Sequence, residues 1–121
     1  MEKNVLKEKS YAFALRIVKA YKYLCYEQKE YVLSKQLLRS GTAIGALICE
    51  AQYGESSPDF VHKFAIALKE ANETRYWLEL LKDSAFIDEN VFDSVNEECV
   101  ELIKLLTSSI KTCKRNITNS G

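Results

Sequence analysis

Apolar residues recur every three or four positions along four long segments of the chain. This spacing stacks side chains on one face of an α-helix, whereas a half-buried strand would alternate at every second position. The 121 residues include only four glycines and one proline, which leaves few breakers for the turns of a β-fold. Because a chain of this length can bury one core, the pattern predicts a single all-α domain spanning 1–121.

The periodic segments predict four helices and a polar tail, over about residues 4–28, 33–53, 58–83, 88–115 and 116–121. Amphipathic helices joined by short connections pack as antiparallel neighbours, so we expect an up-down-up-down four-helix bundle. Gly54 is expected to end the second helix, and Ser57 to cap the third with Pro58 at its first position. Asp88 is expected to cap the fourth helix.

The first helix carries two apolar stripes. One stripe is enough to pack a helix into a bundle, so the second predicts a surface that meets another molecule. Lys22 interrupts this second stripe. We interpret it as a candidate oligomer interface, formed by Tyr11, Leu15, Val18 and Tyr26.

The middle of the second helix is crowded with small residues, among them Gly41 and Gly45. Each glycine inside a helix costs about 1 kcal/mol relative to alanine, so two of them need a structural reason. Close approach to the backbone of a neighbouring helix is that reason.

The formal net charge is zero, which argues against an obligate polyanion binder. The charges are nevertheless segregated: +5 over residues 1–40, −9 over 41–101 and +4 over 102–121. Such asymmetry is typical of helices with different solvated faces. It also allows a basic surface on the neighbouring first and fourth helices that contacts RNA or DNA phosphates, with the candidate residues Lys9, Arg16, Lys19, Tyr23, Lys111, Lys114 and Arg115.

Three glutamates fall beside the core faces of the second and third helices, namely Glu50, Glu70 and Glu73. Partly buried acids need a counter-charge, so we expect structural ion pairs between these residues and Arg39, with Arg75 as another candidate base. An acid–base pair in a catalytic site is the alternative interpretation of the same carboxylates.

The usual equipment of catalysis is missing from the sequence. His62 is the only histidine, and a di-iron bundle needs a Glu-x-x-His motif on each of two helices. No two cysteines are spaced as zinc ligands, and all four follow apolar stripes as reduced thiols would: Cys25, Cys49, Cys99 and Cys113. We therefore expect a non-enzymatic protein without a metal or another cofactor.

The N-terminal residues are too polar for a signal peptide, and no apolar run approaches the ~20 residues that cross a bilayer. We therefore expect a cytoplasmic protein that does not engage a membrane.

Four stretches of the chain, over 10–18, 36–52, 59–60 and 67–81, resemble the bacterial four-helix bundle family, which is also known as the 23S rRNA intervening-sequence protein family. Residues 36–52 (QLLRSGTAIGALICEAQ) resemble the family's central signature, and the likeness continues through Asp59-Phe60 and residues 67–81 (ALKEANETRYWLELL). Residues 10–18 (SYAFALRIV) resemble its first helix. The chain departs from the family at Leu47, where asparagine is common.

This resemblance implies a four-helix bundle, which in the family is commonly assembled as a homopentamer, and it implies no enzymatic activity. Some members of the family are encoded within 23S rRNA genes. A related protein, the accessory variability protein of diversity-generating retroelements, is strongly basic and engages nucleic acid and a reverse transcriptase.

Two functions follow as hypotheses, and a third is more distant. The first is an oligomeric scaffold whose protein partner is not identified by the sequence. The second is an accessory protein that binds RNA or DNA through the basic first and fourth helices. The third is a metal- or thiol-dependent enzyme.

Overall fold

The computed structural model describes residues 4–52 and 57–120, with the side chains of 4–52 and 57–118. These ranges contain four helices and no strand: α1 (Val5–Tyr26), α2 (Leu33–Gln52), α3 (Ser57–Asp83) and α4 (Glu89–Ser120). Within them each helix packs against its neighbours in the order α1–α2–α3–α4–α1, and no Cα atoms of the diagonal pairs lie within 8 Å of each other. The predicted up-down-up-down four-helix bundle is confirmed.

Local hydrogen bonds explain where the helices begin. Asn4 caps α1, since its side-chain oxygen accepts the backbone N–H of Lys7 at 3.0 Å. The Asp88 carboxylate accepts the N–H of Val91 at 2.8 Å and caps α4 as predicted. The Gly54 cap predicted for α2 lies outside the described residues.

Glu30 caps α2, which the sequence pattern does not predict. Its carboxylate accepts the N–H groups of Val32, Leu33 and Ser34 at 2.7–3.1 Å. Burial alone would raise the pKa of Glu30, but these donors outweigh it and the pKa is lowered. A charged glutamate is therefore stable here although the residue is buried.

The polar tail predicted over 116–121 is wrong as far as residue 120, because α4 continues to Ser120 and does not end at Arg115. No glycine or proline interrupts residues 89–120, so nothing forces the helix to stop. The Thr118 hydroxyl bonds back to the Lys114 carbonyl at 3.0 Å, within the helix.

The core lies between the four helices, and its large fully buried side chains include Phe13, Ile17, Leu24, Leu37, Ile44, Leu78 and Leu106. The small residues of α2 allow α1 to approach closely. A Cβ at Gly41 would lie 2.8 Å from two carbons of Ile17, and a Cβ at Gly45 would lie 3.3 Å from the Ser10 carbonyl oxygen. Gly41 is therefore a packing requirement of the α1–α2 contact.

Candidate functional site

The second apolar stripe of α1 faces away from the core. Tyr11, Leu15 and Tyr26 are 67%, 55% and 71% exposed, while Val18 is half-buried. These four residues, hereafter the α1 outer face, lie on one side of the helix, and three of the four are more than half exposed. Isolated exposed apolar residues are common on proteins, whereas several on one helix face form a candidate interaction site. The exposed Lys22 lies between Val18 and Tyr26 and interrupts the group.

A groove of about 700 Å³ between α1 and α2 adjoins this face at Tyr11. Its wall on α2 consists of small or short side chains, namely Thr42, Gly45, Ala46 and Cys49. From the sequence, we connect the glycines only with packing inside the bundle. The glycines and other small residues recur every three or four positions along α2, and this spacing indicates that α2 also presents a shallow outer surface.

The predicted basic surface is divided by acids from α4. Lys9 Nζ lies 2.6 Å from Glu101 Oε1, and Arg16 Nη1 lies 3.2 Å from Glu98 Oε2. The hydrogen bond to Glu101, followed by its charge, raises the pKa of Lys9. The expectation of one continuous basic surface is therefore wrong, because α4 places acids, not bases, beside α1.

The other candidate cations remain at the surface. Lys111, Lys114 and Arg115 are exposed on the last turns of α4, and Lys111 lies ten residues beyond Glu101, about 15 Å along the helix. Lys19 and Tyr23 are exposed on α1, where the Tyr23 hydroxyl accepts a hydrogen bond from Gln28 at 2.7 Å.

The structure brings together three of the four residues expected to form ion pairs. Arg39 on α2 contacts Glu70 at 3.1 Å and also pairs with Glu73, both on α3. Trp77 donates its indole N–H to Glu73 at 3.3 Å. Glu50 is the exception, because it is exposed and forms no ion pair among the described residues.

The pKa values of Glu70 and Glu73, the two carboxyls paired with Arg39, are shifted in opposite directions. Burial, together with a hydrogen bond to Glu73, raises the pKa of Glu70, whereas the bond from Glu70 lowers the pKa of Glu73. The positive charge of Arg39 acts to lower the pKa of both carboxyls. The pair therefore tends to hold its first proton on Glu70 and its negative charge on Glu73, next to Arg39 and Trp77.

The groups most often used in catalysis are dispersed. His62 is exposed on α3. The Cys99 thiol is buried and donates to the Ala71 carbonyl at 3.3 Å, and burial raises its pKa to about 12. In the described part of the chain, no three His, Cys, Asp or Glu side chains cluster as metal ligands would.

No helix in the described ranges contains a stretch with the length and hydropathy of a bilayer span.

The model of one family, described as 23S rRNA-intervening sequence protein, matches residues 2–108 of the chain. The chain belongs to this family. The match ends within α4, so the last turns of that helix extend beyond it. No curated protein matches the chain.

A crystal structure of a protein with a similar sequence has a closely similar fold. It is a protein with unknown function from the S23 ribosomal protein family of Bacteroides thetaiotaomicron VPI-5482. The two are 56% identical in sequence with a TM-score of 0.88, over 88% of this chain and 99% of that chain. Family membership and this similarity therefore support the four-helix fold.

Proposed function

We propose that the protein is a non-enzymatic scaffold whose copies assemble through the α1 outer face. The observation that carries this proposal is the exposure of Tyr11, Leu15 and Tyr26 on one side of a helix whose other side fills the core. Removing apolar surface from water contributes about 25 cal/mol per Å², so covering these side chains favours association.

The adjoining α1–α2 groove supports the same proposal. Ala14, Gly45 and Ala46 keep its walls low, so a helix or a large side chain of another copy can approach closely. Tyrosine suits such an interface, because its ring supplies apolar area while its hydroxyl remains hydrogen-bonded at the rim.

The chemical groups support a role without catalysis. A thiol with a pKa near 12, like that of Cys99, is not a nucleophile at neutral pH. Arg39 and Trp77 already bind Glu73, so that carboxylate is engaged in joining α2 to α3.

Sedimentation of the wild type and two matched variants tests this function. Leu15→Glu places a charge on the α1 outer face, whereas Val91→Glu places the same charge on an exposed apolar residue of α4. We expect the wild type and Val91→Glu to form the same oligomer and Leu15→Glu to sediment as a monomer with unchanged helicity. A monomeric wild type at micromolar concentration would refute the proposal.

Nucleic-acid binding is a second candidate, and it now depends on the end of α4. Residues 102–121 contain four bases and no acid, and Lys111, Lys114 and Arg115 are all exposed. This function predicts retention on a polyanion that weakens steeply with salt. Lys111→Gln/Lys114→Gln should abolish retention, and the absence of wild-type retention at low ionic strength would exclude it.

A further inference from the structure

Five charged side chains form a line along the outer side of α4, which we call the α4 charge line: Asp93, Glu97, Lys104, Lys111 and Arg115. They are separated by four, seven, seven and four residues, so they share one side of the helix. The core residues Val95, Cys99, Leu102 and Leu106 occupy the other side. All five charges are exposed, and none forms an ion pair among the described residues.

The sign of the charge changes once along this line. Its first two members are acids and its last three are bases. Asp93 and Glu97 are four residues apart, as are Lys111 and Arg115, and like charges at this spacing destabilise a lone helix slightly. A surface that carries such like-charge pairs is stabilised when opposite charges from another molecule lie against it.

The helix macrodipole does not account for this pattern. It favours acids near the N-terminus and bases near the C-terminus, but its effect falls off within the first and last turns. Glu97 lies eight residues after the first residue of α4, and Lys111 lies nine residues before the last. Both are outside the range in which the dipole decides which charge is favoured.

The charge line is symmetric about Lys104. Asp93 lies eleven residues before it and Arg115 eleven after it, while Glu97 lies seven before and Lys111 seven after. When two identical helices pack antiparallel about a two-fold axis, a residue that lies a given number of positions before the centre faces the residue of the other helix that lies the same number of positions after it. A second copy of α4 centred on Lys104 would therefore place every acid of the line opposite a base.

We propose that the α4 charge line is a docking surface for α4 of a second copy, with the helices antiparallel and the two-fold axis at Lys104. Asp93 then pairs with Arg115 of the other copy, and Glu97 pairs with its Lys111, which gives four ion pairs in all. The contact spans the 23 residues from Asp93 to Arg115, about 33 Å of helix. It is separate from the α1 outer face and joins copies in pairs.

The physical character of this contact follows from its composition. Exposed ion pairs contribute little each, and the half-buried Val100 is the main apolar side chain beside the line. One helix face is also small compared with a standard interface of about 1,600 Å². The pairing is therefore weak and sensitive to salt, whereas association through the apolar α1 outer face is not.

Lys104 supplies an internal check, because the two-fold axis brings two like charges together. Lys104→Gln removes that repulsion and should strengthen the pairing. If the basic end of α4 instead binds a polyanion, the same substitution should weaken retention or leave it unchanged.

Charge-reversal variants of the full chain test the proposal by sedimentation at low salt and at about 1 M salt, where the Debye length is about 3 Å. One variant is Asp93→Lys/Glu97→Lys, and the other is Lys111→Glu/Arg115→Glu. Each variant by itself should no longer pair, because its α4 charge line then carries charges of mostly one sign. An equimolar mixture of the two should restore it at low salt, with a twofold increase in assembly mass.

Two results would overturn the proposal: a mixture that associates no more than its components, or a wild type whose mass is the same at both salt concentrations. Assembly that persists at about 1 M salt measures the α1 outer face, so failure of the two proposals can be distinguished. Wild-type retention on heparin, together with a mixture that does not associate, would assign the bases to a polyanion instead.

Discussion

Gly41→Ala tests whether the fold depends on the closeness of α1 and α2. The new Cβ would lie 2.8 Å from both Cγ atoms of Ile17 and 3.1 Å from its Cδ1, whereas carbon atoms pack best at about 3.5–4.0 Å. Ile17 is fully buried, so its side chain has no open space to enter. The substitution therefore either pushes α1 away from α2 or forces Ile17 out of its preferred rotamer.

The size of the effect follows from two opposing contributions. Replacing glycine by alanine within a helix gains about 1 kcal/mol. Overpacking a buried site typically costs about 1–3 kcal/mol, and contacts to two carbons of one buried side chain place Gly41 near the upper end. We expect a net loss of about 1–2 kcal/mol in the free energy of unfolding, which lowers Tm by about 4–8 °C at this chain length.

Urea unfolding followed by circular dichroism at 222 nm provides the measurement, at one fixed protein concentration because assembly shifts apparent stability. Ala65→Gly is the matched control, since Ala65 is exposed on α3, away from both the α1–α2 contact and the groove. It should lose about 1 kcal/mol through helix propensity alone. Combining Gly41→Ala with Ile17→Ala removes the clash, so in that background Gly41→Ala should be stabilising.

A Gly41→Ala variant that is more stable than wild type by the full propensity gain would refute this reasoning. That result would mean that α1 and α2 separate without loss of packing. Close contact with Ile17 would then no longer explain why a glycine occupies position 41.

Four further outcomes follow from the buried and paired groups. Glu30→Gln should lower the free energy of unfolding by about 1–2 kcal/mol near neutral pH, as expected for the loss of a helix cap. Because the folded pKa of Glu30 is lowered, its stabilising effect is present above the unfolded pKa of about 4.3 and is lost as pH falls through the folded pKa. Urea unfolding should therefore show that the stability difference between wild type and variant shrinks below pH about 4.3. Glu73→Gln should lower stability at pH 7 by up to about 1 kcal/mol. Glu70→Gln should cost less or be stabilising, because the raised pKa of Glu70 makes its contribution favourable at low pH and lost as pH rises through the folded pKa. In alkylation followed by peptide mass analysis, Cys99 should react last and only with global unfolding, and early labelling of Cys99 would contradict its burial.

The positions and type of the helices could be predicted from the sequence, because apolar spacing and capping residues act over a few neighbouring positions. Asp88 illustrates this, since its acceptor group and the N–H that it binds are three residues apart. The end of α4 could not be predicted in the same way. The polar composition of residues 116–120 suggested a tail, but no breaker stops the helix after Arg115.

Which charged side chains lie together on the surface could be determined in full only from the tertiary structure. Lys9 and Arg16 look like part of a basic stripe along the chain, yet Glu101 and Glu98 from the distant α4 lie against them. The pairing of Arg39 with Glu70 and Glu73 of α3 could be predicted, because partly buried acids need a counter-charge, but the absence of Glu50 from this group could not. Spacing along the chain specifies which side of a helix is apolar, whereas the charges that meet between helices depend on the rotation and register of each helix, which only packing in three dimensions decides.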